Sequence, residues 1–116
     1  VLMLATDHAP HPADKKTIGF LKSANGITGL EIAVASTYTV MVVEEGMDVD
    51  SWAKAWWEMP RNVLSAASIE CLNAANPTTS IVTGERRAYD LSSSLSLSRN
   101  CPYDKMSFDG WPDVTM

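Results

Sequence analysis

The side chains best suited to chemistry stand at the start of the sequence, in Ala5-Thr6-Asp7-His8-Ala9-Pro10-His11. A carboxylate such as Asp7 can hold a divalent cation and can also accept a proton from an activated water. With His8 and His11 it has the ligand types of a three-ligand zinc site. Pro10, however, breaks the helical register that would aim both rings one way. Asp7 and His8 also suit a turn or a helix cap. On spacing alone the turn or cap is the favoured reading.

These residues need elements to position them. Val1-Leu2-Met3-Leu4 is a short apolar run before a Pro-containing turn, and it predicts a buried strand. Polar residues just beyond the carboxyl end of such a strand are where parallel α/β folds place their chemistry. From Pro12 to Lys16, and on through Gly19 to Gly26, no period is visible, and Asn25-Gly26 is a turn signal. A loop of that length in a compact domain is usually functional or mobile. Thr28-Gly29-Leu30-Glu31 fits a capping box, Thr28 as cap and Glu31 reaching back. It predicts a helix from Gly29 to Glu45, stopped by Gly46. Thr37 to Val43 is rich in β-branched residues and would pass for a strand. The two caps and the length of the span favour helix, with Leu30, Ala33, Val34, Tyr38, Met41 and Val42 on one face. Glu44 and Glu45 then form a solvated helix end.

Asp48 is placed to cap a second helix, along which Val49, Trp52, Ala53 and Trp56 recur at helical spacing, with Trp57 beside them. The tryptophans suit packing against the first helix better than a carbohydrate platform. Pro60 ends that helix or opens the next, and Arg61 to Leu72 predicts a third. Beyond Asn73 the composition turns to short strand candidates, Ile81-Val82-Thr83 and Ala88-Tyr89-Asp90-Leu91. Asn76-Pro77-Thr78-Thr79-Ser80 is a linker-like turn before them, and Asn100-Cys101-Pro102-Tyr103 and Asp109-Gly110-Trp111-Pro112 are turns after them. In Ser92 to Ser98, leucines alternate with serines, as in a weak edge strand. The division is thus a helical 1–72 and a β-rich 73–116.

The 116 residues are 46% hydrophobic and 20% charged, which is ordinary globular composition. A net charge of −5 with no basic cluster excludes the usual nucleic-acid surface. No apolar run approaches the roughly 20 residues that span a bilayer. Cys71 and Cys101 are expected as free thiols in a reducing cytosol rather than as a disulfide. The chain opens inside a predicted strand without Met and closes on Asp113-Val114-Thr115-Met116, a stretch that looks interrupted, so both ends are expected to be cuts through a longer protein.

Thr6-Asp7-His8-Ala9-Pro10-His11 followed by Gly26-Ile27-Thr28-Gly29-Leu30-Glu31 resembles the T-D-H-A-P-H and G-x-x-G-x-E blocks of class I dihydroorotases, members of the amidohydrolase superfamily. Ala66-Ala67-Ser68-Ile69-Glu70-Cys71-Leu72 resembles their P-A-x-I-x-x-L helix without its proline. Gly84 to Leu91 resembles their G-x-x-A-D-L strand with an extra residue, and Ser98-Arg99-Asn100-Cys101-Pro102-Tyr103 their S-x-N-T-P-F segment. The blocks keep the family's order over nearly the whole chain.

The resemblance implies an α/β fold: the C-terminal part of a (β/α)8 amidohydrolase barrel, its last strand and following helices, plus part of a small flanking β region. A whole barrel needs about 250 residues. It implies Asp7 as a metal ligand and as the catalytic acid/base. It implies His11 holding the substrate carboxylate, and Asn25 and Gly26 offering backbone contacts to the substrate ring. The cofactor implied is Zn2+. The reaction implied is interconversion of N-carbamoyl-L-aspartate and dihydroorotate, with a small-molecule substrate, no nucleic acid and no membrane. A homo-oligomer or a complex with another pyrimidine-pathway enzyme is the implied assembly. The family's H-x-H motif, carboxylated Lys and further metal His have no counterpart here, so the isolated chain is expected to be inactive. Ser23-Ala24-Asn25-Gly26 also departs from the family's A-P-F-G. A non-catalytic dihydroorotase-like partner subunit and an allantoinase- or dihydropyrimidinase-type hydrolase are the alternatives, though the latter usually differ after the Asp-His pair.

Overall fold

The computed structural model describes residues 3–64 and 78–115. Within them the chain is α/β, helices followed by two small sheets. Met3 and Leu4 form no strand. Among the described residues no neighbouring strand offers them a ladder, and the Leu4 N–H donates instead to the Ala55 carbonyl at 3.0 Å. Val1 and Leu2 lie outside the described residues.

One helical turn, α1 (Ala13–Lys16), opens the predicted loop. The long helix forms in three sections: a 3₁₀ turn Leu30–Ile32, α2 (Ala33–Thr37) and a π-helical stretch Tyr38–Glu44. The β-branched run is therefore helical, but wound wide. It ends at Gly46, whose φ of 71° lets the Met47 N–H reach the Met41 carbonyl at 2.8 Å. The changes of winding rotate the buried face away from a plain 3.6-residue stripe. Ile32, Ala33, Ala35, Tyr38 and Thr39 are buried, while Leu30 is 58% exposed.

Asp48 caps α3 (Val49–Trp56) as predicted, its carboxylate accepting from the Ser51 N–H at 2.8 Å. Helix α4 (Glu58–Val63) follows. It starts before Pro60, because a first-turn proline sacrifices no helical hydrogen bond. The remainder of the predicted third helix, and the 72/73 division, fall outside the described residues.

Trp52 is buried and Trp56 half-buried. Both indole N–H groups donate to the Thr37 hydroxyl oxygen, at 3.2 and 3.0 Å, and that hydroxyl donates to the Ala33 carbonyl at 2.7 Å. Trp52 also meets Tyr38 edge-on at 5.3 Å between ring centres. These two tryptophans are packing. Trp57 is exposed, with the Arg61 guanidinium 4.7 Å from its ring centre. Thr37→Val keeps the shape but leaves two indoles without an acceptor. It is expected to cost about 2 kcal/mol of unfolding free energy, seen as a lower denaturant midpoint at unchanged slope, while Thr37→Ser costs little.

Strand β1 (Thr78–Val82) pairs antiparallel with β4 (Trp111–Thr115), and β2 (Arg87–Ala88) with β3 (Ser107–Phe108), so Thr78-Thr79-Ser80 and Trp111-Pro112, expected as turn, are strand because each meets a partner in the first ladder. Ile32 and Ala35 of the helix pack with Tyr89, Cys101 and Phe108 of the β region, with Leu91, Tyr103 and Trp111 around them. Cys101 is a free, buried thiol; Cys71 lies outside the described residues. Gly110 packs where a side chain would overlap the Tyr38 ring, at a φ of 69°. Among the described residues no helix is long and apolar enough to cross a membrane.

Two further expectations fail. The Thr28–Glu31 box does not form: Thr28 makes no cap, and its buried hydroxyl has no hydrogen-bond partner among the described residues. Glu31 reaches outward, accepting from the Tyr89 hydroxyl at 2.9 Å and the Leu95 N–H at 2.8 Å. The Ser92 to Ser98 segment is no strand: a 3₁₀ turn covers Leu91–Ser93 and the rest is irregular. Its alternation is real but inverted. Leu95 and Leu97 are 93% and 100% exposed, while Ser98 is buried. The serine hydroxyls accept from the segment's own N–H groups, Ser96 to Ser94 at 3.1 Å and Ser98 to Ser96 at 3.2 Å.

Burial pushes the Glu31 carboxyl upward, but hydrogen bonds from Ser94, Tyr89, Leu95 and Ser96 outweigh it and hold the group below its ordinary 4.5. A carboxyl depressed in the folded state stabilises above its unfolded value and loses that contribution as pH falls through the folded one. Glu31→Gln is therefore expected to lower the thermal midpoint at pH 7. It should also flatten the loss of stability that the parent shows on acidification below pH 4.5.

Candidate functional site

The Thr6 hydroxyl accepts from the His8 N–H at 3.3 Å, closing a tight turn around Asp7. Asp7 consequently adopts a φ of 44°, a left-handed conformation that Asp tolerates better than most residues. Its side chain is exposed, and among the described residues its carboxylate has no hydrogen-bond or ion-pair partner. Strained backbone that displays an unpaired carboxylate is the kind of outlier that collects at functional sites.

His8 turns inward. Its Nδ1 accepts from the N–H groups of Gly29 and Leu30, both at 3.2 Å. The ring thus caps the helix from 21 residues away in sequence, in place of Thr28. As an acceptor, Nδ1 is closed to a metal, and the proton of the neutral ring is on Nε2.

His11 faces the following loop. Its Nε2 lies 2.8 Å from the Asn25 carbonyl oxygen. A carbonyl only accepts, so Nε2 carries the proton. Gly26, next in sequence, has a φ of 98°, and a Cβ there would sit 2.5 Å from the Ala9 Cβ. Only glycine lets these two loops come this close. The Ala9 N–H completes the contact by donating to the Ile27 carbonyl at 2.9 Å. His11, Asn25 and Gly26 are therefore brought together. Asp7 shares their loop but no hydrogen bond with them.

Three residues not predicted for the site hold it. The Lys16 ammonium donates to the Ala24 and Gly26 carbonyls at 2.7 and 3.0 Å. Ser98 and Asn100 bind both loops from the far end of the chain. The S-x-N spacing at 98–100 marked a resemblance, but nothing in it pointed to contacts some ninety residues away. His11, Lys16, Arg99 and Asn100 line a groove of about 240 Å³ that has no acidic residue in its wall. Arg99 is steadied there by donation to the Leu91 carbonyl at 2.6 Å.

As to metal, Asp7 fits as one ligand: an exposed, unpaired carboxylate. Among the described residues no group of three or more His, Cys, Asp or Glu could hold an ion. The Asp7, His8 and His11 trio is not a self-contained zinc site: its members form no such group, and the one free lone pair of the His8 ring accepts from two backbone N–H groups.

No family model matches the chain. Curated proteins are similar to it along almost its full length. Dihydroorotase of Bacillus cereus strain B4264 is 32% identical over 116 residues, 98% of this chain and 27% of the relative. Dihydroorotase of Bacillus thuringiensis strain Al Hakam is 29% identical over 115 residues, 98% and 27% respectively. Dihydroorotase of Thermus aquaticus is 26% identical over 113 residues, 97% and 26%. The chain spans about a quarter of the length of the curated relatives it matches.

Proposed function

We propose that this chain is the C-terminal segment of a zinc-dependent, class I dihydroorotase. In this reading, residues 1–72 complete a (β/α)8 barrel and 73–116 form part of a flanking β region. The whole protein opens dihydroorotate to N-carbamoyl-L-aspartate and closes it again. The observation that carries this reading is the pairing of His11 with Asn25 and Gly26 beside a displayed Asp7, in a chain similar from end to end to proteins named dihydroorotase.

The chemistry zinc supplies when bound is polarisation of the amide carbonyl and activation of water. Asp7 would hold it as one ligand; the same carboxylate accepts a proton from the attacking water and returns it to the departing ring nitrogen. The C–O bond forms first and the C–N bond then breaks; one proton of the water ends on the ring nitrogen, and the other stays with the new carboxyl group, which releases it to solvent. His11 and the loop of Asn25 and Gly26 bind and orient the substrate. Lys16 and Arg99 in an acid-free groove wall support the choice of an anionic substrate.

The full-length protein carrying this chain is expected to hydrolyse dihydroorotate, and to act on it at least about a hundredfold faster, by kcat/KM, than on hydantoin or dihydrouracil. Those analogues lack the carboxylate. Equal turnover of all three, or turnover of the uncharged rings alone, would transfer the reading to another cyclic amidohydrolase.

A further inference from the structure

We propose that Ser98 and Asn100 are positioning residues for the substrate loops, an assignment that rests on the reading of the site above. Asn100 has every polar group of its side chain engaged. Its Nδ2 donates to the Ala9 carbonyl at 2.9 Å and the Gly26 carbonyl at 3.2 Å. Its Oδ1 accepts from the His11 N–H at 3.4 Å and from the Ser98 hydroxyl. Its own carbonyl accepts from the Thr28 N–H at 3.2 Å. The amide can face only this way, since a flip would set its oxygen against two carbonyls.

Ser98 is 7% exposed and completes the clamp. Its Oγ accepts from the His11 N–H at 3.0 Å, and its single proton is shared between the His11 carbonyl at 2.5 Å and Asn100 Oδ1. Both backbone polar groups of His11 thus end on Ser98. The imidazole orientation is fixed twice, at its root by Ser98 and at its tip by Asn25. The Gly26 carbonyl is held by Asn100 and Lys16 together. A segment near the C-terminus therefore sets the distance between the two loops that the reading assigns to substrate. Neither clamp residue needs to touch the substrate to do so.

Asn100→Asp tests this with the shape conserved. It removes both donors and turns an anionic oxygen on two carbonyls. In the full-length protein it is expected to raise KM for dihydroorotate about tenfold or more, with kcat within about threefold. Ser98→Ala should raise KM less, by about threefold. Combined with His11→Ala, either substitution should cost less than it does alone, because His11 is what it positions. Hydrogen exchange on the same proteins should quicken in peptides spanning 7–12 and 22–28 and stay unchanged over α3.

Unchanged exchange in those peptides would overturn the assignment. So would faster exchange with KM within twofold, or effects that multiply fully with His11→Ala. If Asn100→Asp does not fold, Ser98→Ala carries the same readouts. If the parent does not turn over dihydroorotate at all, the functional reading fails separately, and exchange alone still decides whether these residues hold the loops.

Discussion

Asp7→Asn in the full-length protein is expected to lower kcat for dihydroorotate by about 10³-fold or more, the range in which a positioned acid/base contributes. Asn is the informative replacement. It matches Asp in shape and tolerates the left-handed backbone at φ 44°, so the turn closed by Thr6 and His8 survives. What it cannot do is accept and return a proton. Ala would add backbone strain to the loss of the carboxylate and blur the cause. Because Asp7 makes no ion pair or hydrogen bond among the described residues, removing its charge should leave the thermal midpoint of the metal-free protein within a few degrees. Steady-state kinetics beside a melting curve separate the two. A variant that keeps its kcat within tenfold would remove Asp7 from the proton path.

His11→Ala is expected to act mainly on binding, raising KM for dihydroorotate by about 10²-fold with a smaller change in kcat. Two losses add up. The substrate carboxylate loses the imidazole that the proposed function sets against it. The Asn25 carbonyl loses its donor at 2.8 Å, so the loop next to Gly26 loosens. A neutral substrate analogue without the carboxylate feels only the second loss and should be affected much less. If KM for dihydroorotate is unchanged, His11 serves the fold alone.

Local physics made part of this molecule readable from sequence. Asp48 caps α3 because the group it binds, the Ser51 N–H, is three residues away, within reach of any such side chain. The Thr28–Glu31 pair has the same kind of spacing and failed because stronger partners arrive through space. His8 supplies the helix with an acceptor, and Tyr89 and Leu95 claim the Glu31 carboxylate. The tryptophan spacing on α3 showed that the rings pack, while the shared Thr37 acceptor depended on how two helices meet.

The period of the serine and leucine stretch was legible, but its direction was not. Hydrophobicity alone would bury Leu95 and Leu97. Serine hydroxyls can satisfy the backbone of a packed irregular segment, and leucines cannot, so the serines face inward. The site divides along the same line. Asp7, His11, Asn25 and Gly26 are visible as types in a motif. Lys16, Ser98 and Asn100, which give that motif its geometry, are joined to it only by folding.

The central claim is that the carboxylate displayed by the Thr6–His8 turn becomes a metal ligand in the whole protein. It is tested most directly by anomalous diffraction at the zinc edge from crystals of the full-length protein. A peak at about 2.0–2.2 Å from an Asp7 carboxylate oxygen is the predicted result. An ordered Asp7 with its carboxylate in open solvent, and any zinc peak held by other residues without it, would contradict the account.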